Sequence, residues 1–321
     1  RHLNEQHLNK LSSAMKSEQQ KVAFLGEAND RATFGAIATE HFFKQSVAAS
    51  SGNFELIAKS SHPAIIDALW NREVDFGVVA IENAVDGVVN ETARGVASLT
   101  ARGIHVLEEV VVPVTFYLAA KQPLDLTQPL TVFAHSTARG QCRKLERALS
   151  SLTSGQLSFQ TMNEHGQSIS NGGAAKRAAE TGGNCAALVN WEGLEAHGLR
   201  LVAQQADTLL DNTGLKDVAN LPLVENNPKR TESASWQVAD FQDSITRFWK
   251  LGHGNFHPPS ELQVHTDDKD RATRKQYNRT SILLNLDHDS SGGLHDALEF
   301  FSRRHCNLSL VYPIPIPGRR F

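Results

Sequence analysis

The stretch from Val74 to Thr92, VDFGVVAIENAVDGVVNET, constrains the fold of this chain more than any other. Val74, Phe76, Val78 and Val79 read as a short buried strand, and the polar pair Glu82 and Asn83 follows at once, with Gly87, Asn90 and Glu91 just beyond. A buried strand that delivers polar side chains at its end is how open α/β sheets build ligand crevices. The local alternative is that Glu82 and Asn83 only tie down a turn.

The flanking sequence repeats this α/β grammar. Lys21 to Leu25 predicts a strand, and Phe34, Ile37, Ala38, His41 and Phe42 predict a helix after it. Ser61 and Pro63 predict the cap and first turn of a helix carrying Ile65, Ile66, Leu69 and Trp70. Val106 to Ala119 is strand-prone, with Pro113 implying an edge or a break. Leu130 to Ala134 predicts a strand, Gln141 falls in a helix with Leu145, Ala148 and Leu149, and Ala186 to Val189 predicts a buried strand. Two similar α/β lobes with a cleft between them follow, an architecture shared with periplasmic-type solute-binding proteins. Residues 1–20 read as a tail, 206–240 as a surface insertion of low order, Phe241 to Leu251 as β-prone again, and 252–278 as a polar linker. The closing segment, 279–321, offers strands at Ser281 to Leu286 and Leu308 to Val311 around a helix with Leu294, Ala297, Leu298 and Phe301 on one face.

Composition excludes several classes of function. With 32 basic and 35 acidic residues the net charge is -3, which offers no field for a polyanion, so nucleic acid is not an expected partner. No run reaches the roughly 18 apolar residues of a membrane helix. Three scattered cysteines suit a reducing compartment and argue against a disulfide scaffold or a structural zinc site. A cytoplasmic location is expected, or an organellar one if a targeting segment preceded Arg1. His135 lacks partners at metal-ligand spacing and reads as structural.

The stretch VAIENAVDGVVNE resembles the prephenate dehydratase pattern V-P-I-E-N-S followed by G-x-x-N-E, with Ala80 and Ala84 departing. The family's S-H-P-Q-x-x-x-Q-C is similar to Ala134 through Cys142, and its T-R-F stands at Thr246, Arg247 and Phe248. The terminal segment resembles the ACT domain through Gly293, Leu294, Cys306, Asn307 and Leu308. The resemblance implies a cofactor-free lyase turning prephenate, a small dicarboxylate, into phenylpyruvate with loss of carbon dioxide and water. It also implies a homodimer or homotetramer, and phenylalanine as effector at Gly293, Leu294 and Asn307.

On the same basis Thr246, Asn83 and Gln141 are the expected catalytic residues. A threonine hydroxyl can donate to the departing oxygen, and neutral amides add no charge beside a dianion. Asn29, Arg31, Glu82, Ser170, Asn171 and Arg247 complete the expected substrate site. Arg247 can grip a carboxylate or hold the two lobes together by a buried pair, and Glu82 suits organising donors better than facing a dianion. Ser170 and Asn171 can meet an anion or simply cap a helix. Thr246 and Phe248 should share one strand face, with Arg247 on the other unless the strand bends.

The family's first motif, G-P-E-G-T-F-S, is altered to Gly26-Glu27-Ala28-Asn29-Asp30-Arg31-Ala32. Asn29 tolerates a left-handed backbone in place of glycine. Asp30 sets a negative charge toward a dianion unless Arg31 neutralises it, and Arg31 can otherwise serve as a new carboxylate clamp. A rebuilt dehydratase, a decarboxylase that keeps the ring hydroxyl, and an idle binding protein all fit these changes. The family's E-S-R-P has become Tyr312-Pro313-Ile314-Pro315, from which weakened or lost phenylalanine control is expected.

Overall fold

The computed structural model describes residues 19–47, 53–99, 102–163, 166, 168–211, 214–215, 218–254, 282–284, 291–308 and 310–314. The expected tail up to residue 18 and the linker from 255 to 278 lie outside the described residues.

The first sheet is laid down by β1 (Gln20–Leu25), α1 (Phe34–Phe43), β2 (Phe54–Lys59), α2 (His62–Trp70) and β3 (Phe76–Asn83). A hairpin return, β4 (Gly87–Val88), leads into α3 (Asn90–Leu99) and the long β5 (Ile104–Pro113). The predicted cap is made, Ser61 accepting from the Ala64 N–H, and Thr33 likewise caps α1 by accepting from the Ala36 N–H. Strand alternation then sorts the core. Val22, Phe24, Val78, Ala80 and Phe248 face α1, whereas Ala23, Val79, Ile81 and Leu251 face α2 and α3. Ile65 and Leu69 are fully buried on that second face, each stabilising by roughly 1.5–3 kcal/mol.

The second sheet follows: β6 (Tyr117–Ala120), β7 (Leu124–Asp125), β8 (Leu130–Ala134), α4 (Ser136–Gly140), α5 (Arg143–Leu152), β9 (Leu157–Gln160), α6 (Asn171–Thr181), β10 (Cys185–Val189), α7 (Trp191–Ala196) and β11 (Arg200–Leu201). All of β10 is buried, and α6 lays Ala174, Ala175 and Ala178 on it, small residues that let helix and sheet approach closely. Gln141 is not inside a helix. It caps the end of α4, and the apolar face of Leu145, Ala148 and Leu149 belongs to the separate helix α5.

The segment 206–240 departs from the low-order expectation. It forms α8 (Ala206–Leu210) and β12 (Asn220–Leu221), which pairs with β7, and it buries Leu209, Leu215, Leu221 and Val238 in the second core. Its apolar residues are too sparse to show a period, so tertiary burial rather than local pattern orders it.

The chain then returns to the first sheet as β13 (Ile245–His253), antiparallel between β3 and β5, so the strand order is β2-β1-β3-β13-β5, with β4 on β3. The second sheet runs β11-β6-β10-β8-β9. The two crossings between sheets lie side by side, the Val114 N–H donating to the Ser244 carbonyl at 2.8 Å. Pro113 does both things expected of it: it ends β5, and β5 is an edge strand.

Of the terminal segment, the expected helix is present as α9 (Gly293–Ser302). The strands expected at 281–286 and 308–311 are not formed among the described residues, where Leu283 and Leu310 are exposed. β propensity is expressed only against a partner strand, and no described strand stands beside them. Among the described residues no helix is long and apolar enough to cross a membrane.

Candidate active site

β1 and β3 run parallel, and so do β8 and β10. The segments that follow β1 and β3 therefore leave one edge of the first sheet, and those that follow β8 and β10 leave one edge of the second. These edges touch: the Asn190 amide donates to the Ala32 carbonyl (2.6 Å) and the Gln141 amide reaches Asn83 (3.4 Å).

Thr246, Asn83 and Gln141 come together at this seam from three distant parts of the sequence. β13 sets Thr246 directly opposite Asn83 on β3. The backbone N–H groups of Val85 and Asp86 both donate to Asn83 Oδ1 (2.8 and 3.0 Å), which fixes the orientation of its amide. The amide NH2 therefore faces Thr246 and donates to Oγ1 at 2.8 Å. Thr246 accepts, so its own proton points elsewhere, and no protein group among the described residues takes it. Gln141 donates to Asp86 Oδ2 at 2.7 Å, which points its NH2 at the carboxylate, while its buried Oε1 has no partner among the described residues. A free hydroxyl proton and a free amide oxygen, fixed through one shared amide, can hold a ligand group that both accepts and donates.

Arg247 points to the opposite side of β13. It makes a two-pronged contact with Glu109 on β5 (3.1 and 2.6 Å) and also donates to Glu82 on β3. Trp249 donates to the same Glu109 at 2.8 Å. A register shift between Arg247 and Phe248 leaves Ile81 unpaired, yet Thr246 and Phe248 keep one face. Of the two readings of Arg247, the geometry follows the ion pair but not the lobe-to-lobe link: its guanidinium joins Glu82 and Glu109 and ties three strands of one sheet. Burial draws the Arg247 pKa down, but Glu109 and Glu82 more than offset it and raise it. Breaking this partly buried pair costs about 1–3 kcal/mol, less than for a fully buried one because solvent screens the remaining charges.

The altered loop keeps its turn. Asn29 stands at φ 63°, the left-handed region that glycine favours. Arg31 is not a free clamp: it grips Glu40 on α1 through two bonds of 2.8 and 2.9 Å, with Glu192 and Glu195 of α7 also drawing on it, and it does not neutralise Asp30. Asp30 instead accepts from the Ala32 N–H (2.8 Å) and lies 3.4 Å from Ser170 Oγ, across the seam. Burial raises its pKa. Ser170 caps α6 through the Gly173 N–H (2.9 Å), and the Asn171 side-chain oxygen is buried without a partner among the described residues.

Other expected positions lie apart. His135 caps α4, its Nδ1 accepting from the Thr137 N–H at 3.1 Å, and burial lowers its pKa. Gly293 opens α9, Leu294 is half exposed and Asn307 is exposed. Among the described residues one trio, His295, Asp296 and Glu299 on exposed α9, brings possible metal-ligand atoms within 4.8 Å of one another, although Arg303 holds Glu299 at 2.6 Å. Sequence reasoning missed Asp86, Glu109 and Asn190. Asp86 stood inside the quoted motif as an available carboxylate, whereas Glu109 and Asn190 acquire roles only through cross-strand and cross-seam pairing.

Two mixed α/β sheets, whose parallel strands end in polar side chains at a common seam, define an α/β chain with a candidate site there. Residues 22–214 match the prephenate dehydratase family, and the chain belongs to that family. It is 25% identical over 305 residues to the prephenate dehydratase of Bacillus subtilis (strain 168), covering 92% of this chain and 83% of that one. A crystal structure of the Arthrobacter aurescens prephenate dehydratase in complex with L-Phe shares the fold at a TM-score of 0.53 and 19% identity, over 93% of this chain and 76% of that one. A structure described as a novel type of quorum-quenching acylase shares it at 0.52 and 15% identity, over 94% and 83%. The fold thus carries more than one chemistry, and function has to be argued from the site.

Proposed function

We propose that this chain is a prephenate dehydratase. The observation that carries the reading is the Gln141–Asn83–Thr246 arrangement, in which an amide locked by two backbone donors holds a threonine hydroxyl with its proton free. In the reaction the ring carboxylate leaves as carbon dioxide, its bonding pair enters the ring, and the carbon–oxygen bond opposite breaks with its pair on oxygen. That oxygen leaves as water once it gains a proton. Aromatisation supplies the driving force, so the protein needs mainly to position the ring and stabilise the departing oxygen.

Thr246 donates to that oxygen, and its ordinary acidity makes placement its contribution. Asn83 sets the hydroxyl's direction, and the unpaired Gln141 oxygen accepts from the substrate hydroxyl before departure. Ser170, Asn171 and the head of α6 meet a substrate carboxylate, with Asn29 shaping the loop opposite. Residues 21–251 form the catalytic unit with its cleft at the seam, and 279–321 an ACT-like piece. We further propose a cytoplasmic or organellar homo-oligomer in which phenylalanine control through Gly293, Leu294 and Asn307 is weakened. Tight, saturable phenylalanine binding by calorimetry would contradict that last point.

The test of the reaction is phenylpyruvate appearing in alkali after incubation with prephenate. Carbon dioxide release without phenylpyruvate would point to decarboxylation with the hydroxyl retained. Ligand binding without turnover would point to a binding protein.

A further inference from the structure

The loop between β1 and α1 places a carboxylate against the head of a helix from the other sheet. Helix α6 has eleven residues, a Ser170 cap and no acidic side chain in its first turn, so its free N–H groups favour negative charge there. Asn171, only 7% exposed, has a buried side-chain oxygen with no partner among the described residues. Asp30 arrives from across the seam and lies so close to Gly172 that a Cβ on that glycine would overlap both carboxylate oxygens. Its bonds are to the Ala32 N–H and, at 3.4 Å, Ser170 Oγ.

The charges around Asp30 do not supply a counter-ion. Glu27 on its own loop opposes ionisation, and His197 at the end of α7 favours it weakly. Neighbouring Arg31 is turned to Glu40, with Glu192 and Glu195 of α7 also drawing on it. Burial is the largest influence on Asp30 and disfavours its charged form. Two carboxylates brought to one such place do not both stay ionised; they share a proton.

We infer that Asp30 couples substrate entry to a proton: a dicarboxylate seats one carboxylate at the head of α6 only when Asp30 is neutral, and its carboxylic acid then donates to that carboxylate. This rests on the dehydratase reading of the seam and deepens it. One proton is taken from solvent when the dicarboxylate binds, and it returns when that place is vacated. Asp30 is thereby a specificity-determining residue that a hydroxyl or amide at the same position would free from pH.

The experiment is calorimetric titration of prephenate into the full chain at pH 7.5, in two buffers of different ionisation enthalpy. About one proton should be taken up per site by the unaltered protein and none by Asp30→Asn, which should bind at least about tenfold tighter at pH 8. The unaltered kcat/KM should fall roughly tenfold per pH unit on the alkaline side, while the variant's profile stays flat there. Asp30→Ser, returning a hydroxyl, should behave like Asp30→Asn and guards against misfolding of one variant. No proton uptake by the unaltered protein, or equal uptake by the variants, overturns the inference while leaving turnover of prephenate intact as a reading. Proton-linked binding without phenylpyruvate would support the role of Asp30 and sink the dehydratase reading. Absence of binding by all three proteins overturns both.

Discussion

Replacing Asn83 by Asp tests the direction of the Thr246 hydroxyl with almost no change of shape. The new carboxylate keeps the two backbone donors, Val85 N–H at 2.8 Å and Asp86 N–H at 3.0 Å, so the turn after β3 should survive. What changes is the third contact. The amide that donates to Thr246 at 2.8 Å becomes an acceptor, and the hydroxyl proton swings back to it and is lost to the substrate. Removing one donor to a developing oxyanion costs about 100- to 1000-fold in kcat, or about 3–4 kcal/mol. The added charge also shares the Gln141 amide with Asp86, and this like-charge approach should lower stability by about 1–2 kcal/mol. Initial rates of phenylpyruvate formation and urea unfolding at neutral pH separate the two effects. A folded Asn83→Asp protein with kcat within about twofold of the parent would refute the argued hydroxyl direction.

Other perturbations read other links in the chain. Arg247→Met removes the guanidinium that Glu82 and Glu109 share while Trp249 still donates to Glu109, so urea denaturation should show a loss of about 1–3 kcal/mol, whereas KM for prephenate should change less than about threefold in the folded protein; a selective rise in KM would restore Arg247 as a carboxylate clamp. His62 is buried without a partner at Nδ1 among the described residues, and burial pushes its pKa down to about 4, against an ordinary value near 6.5. The unfolded chain therefore binds the extra proton between these values, and stability should be full above about pH 6.5 and fall by up to about 3 kcal/mol as pH drops toward 4. His62→Leu should flatten that part of the stability–pH curve, and an unchanged slope would refute the assignment. Gly172→Ala should cost about 1–3 kcal/mol by forcing Asp30 out of its seat, and pairing it with Asp30→Ser should recover part of the loss in denaturation midpoint.

Much of the first sheet was legible because its signals are local. Ser61 and Pro63 announce α2, and the alternation in Val22–Phe24 and Val78–Ile81 sorts the two faces of the sheet. Asn29 was legible as a left-handed residue for the same reason: its cost is paid within one residue. The segment 206–240 was not, since Leu215, Leu221 and Val238 gain their environment only from elements far away in the chain. The site divides along the same line. Thr246, Asn83 and Gln141 could be named from motifs, but their common seam depends on β13 returning between β3 and β5. Arg31 and Arg247 carry charges that suit a dianion, and the folded chain uses both charges internally.

The most direct measurement is the product balance with prephenate for the parent protein and for Thr246→Ala, following carbon dioxide and phenylpyruvate together. The parent should release them in equal amounts, and the variant should lose phenylpyruvate formation by at least about 100-fold while remaining folded. A parent protein that yields no phenylpyruvate, or a variant that makes it at the parental rate, would contradict the role given to the Thr246 hydroxyl.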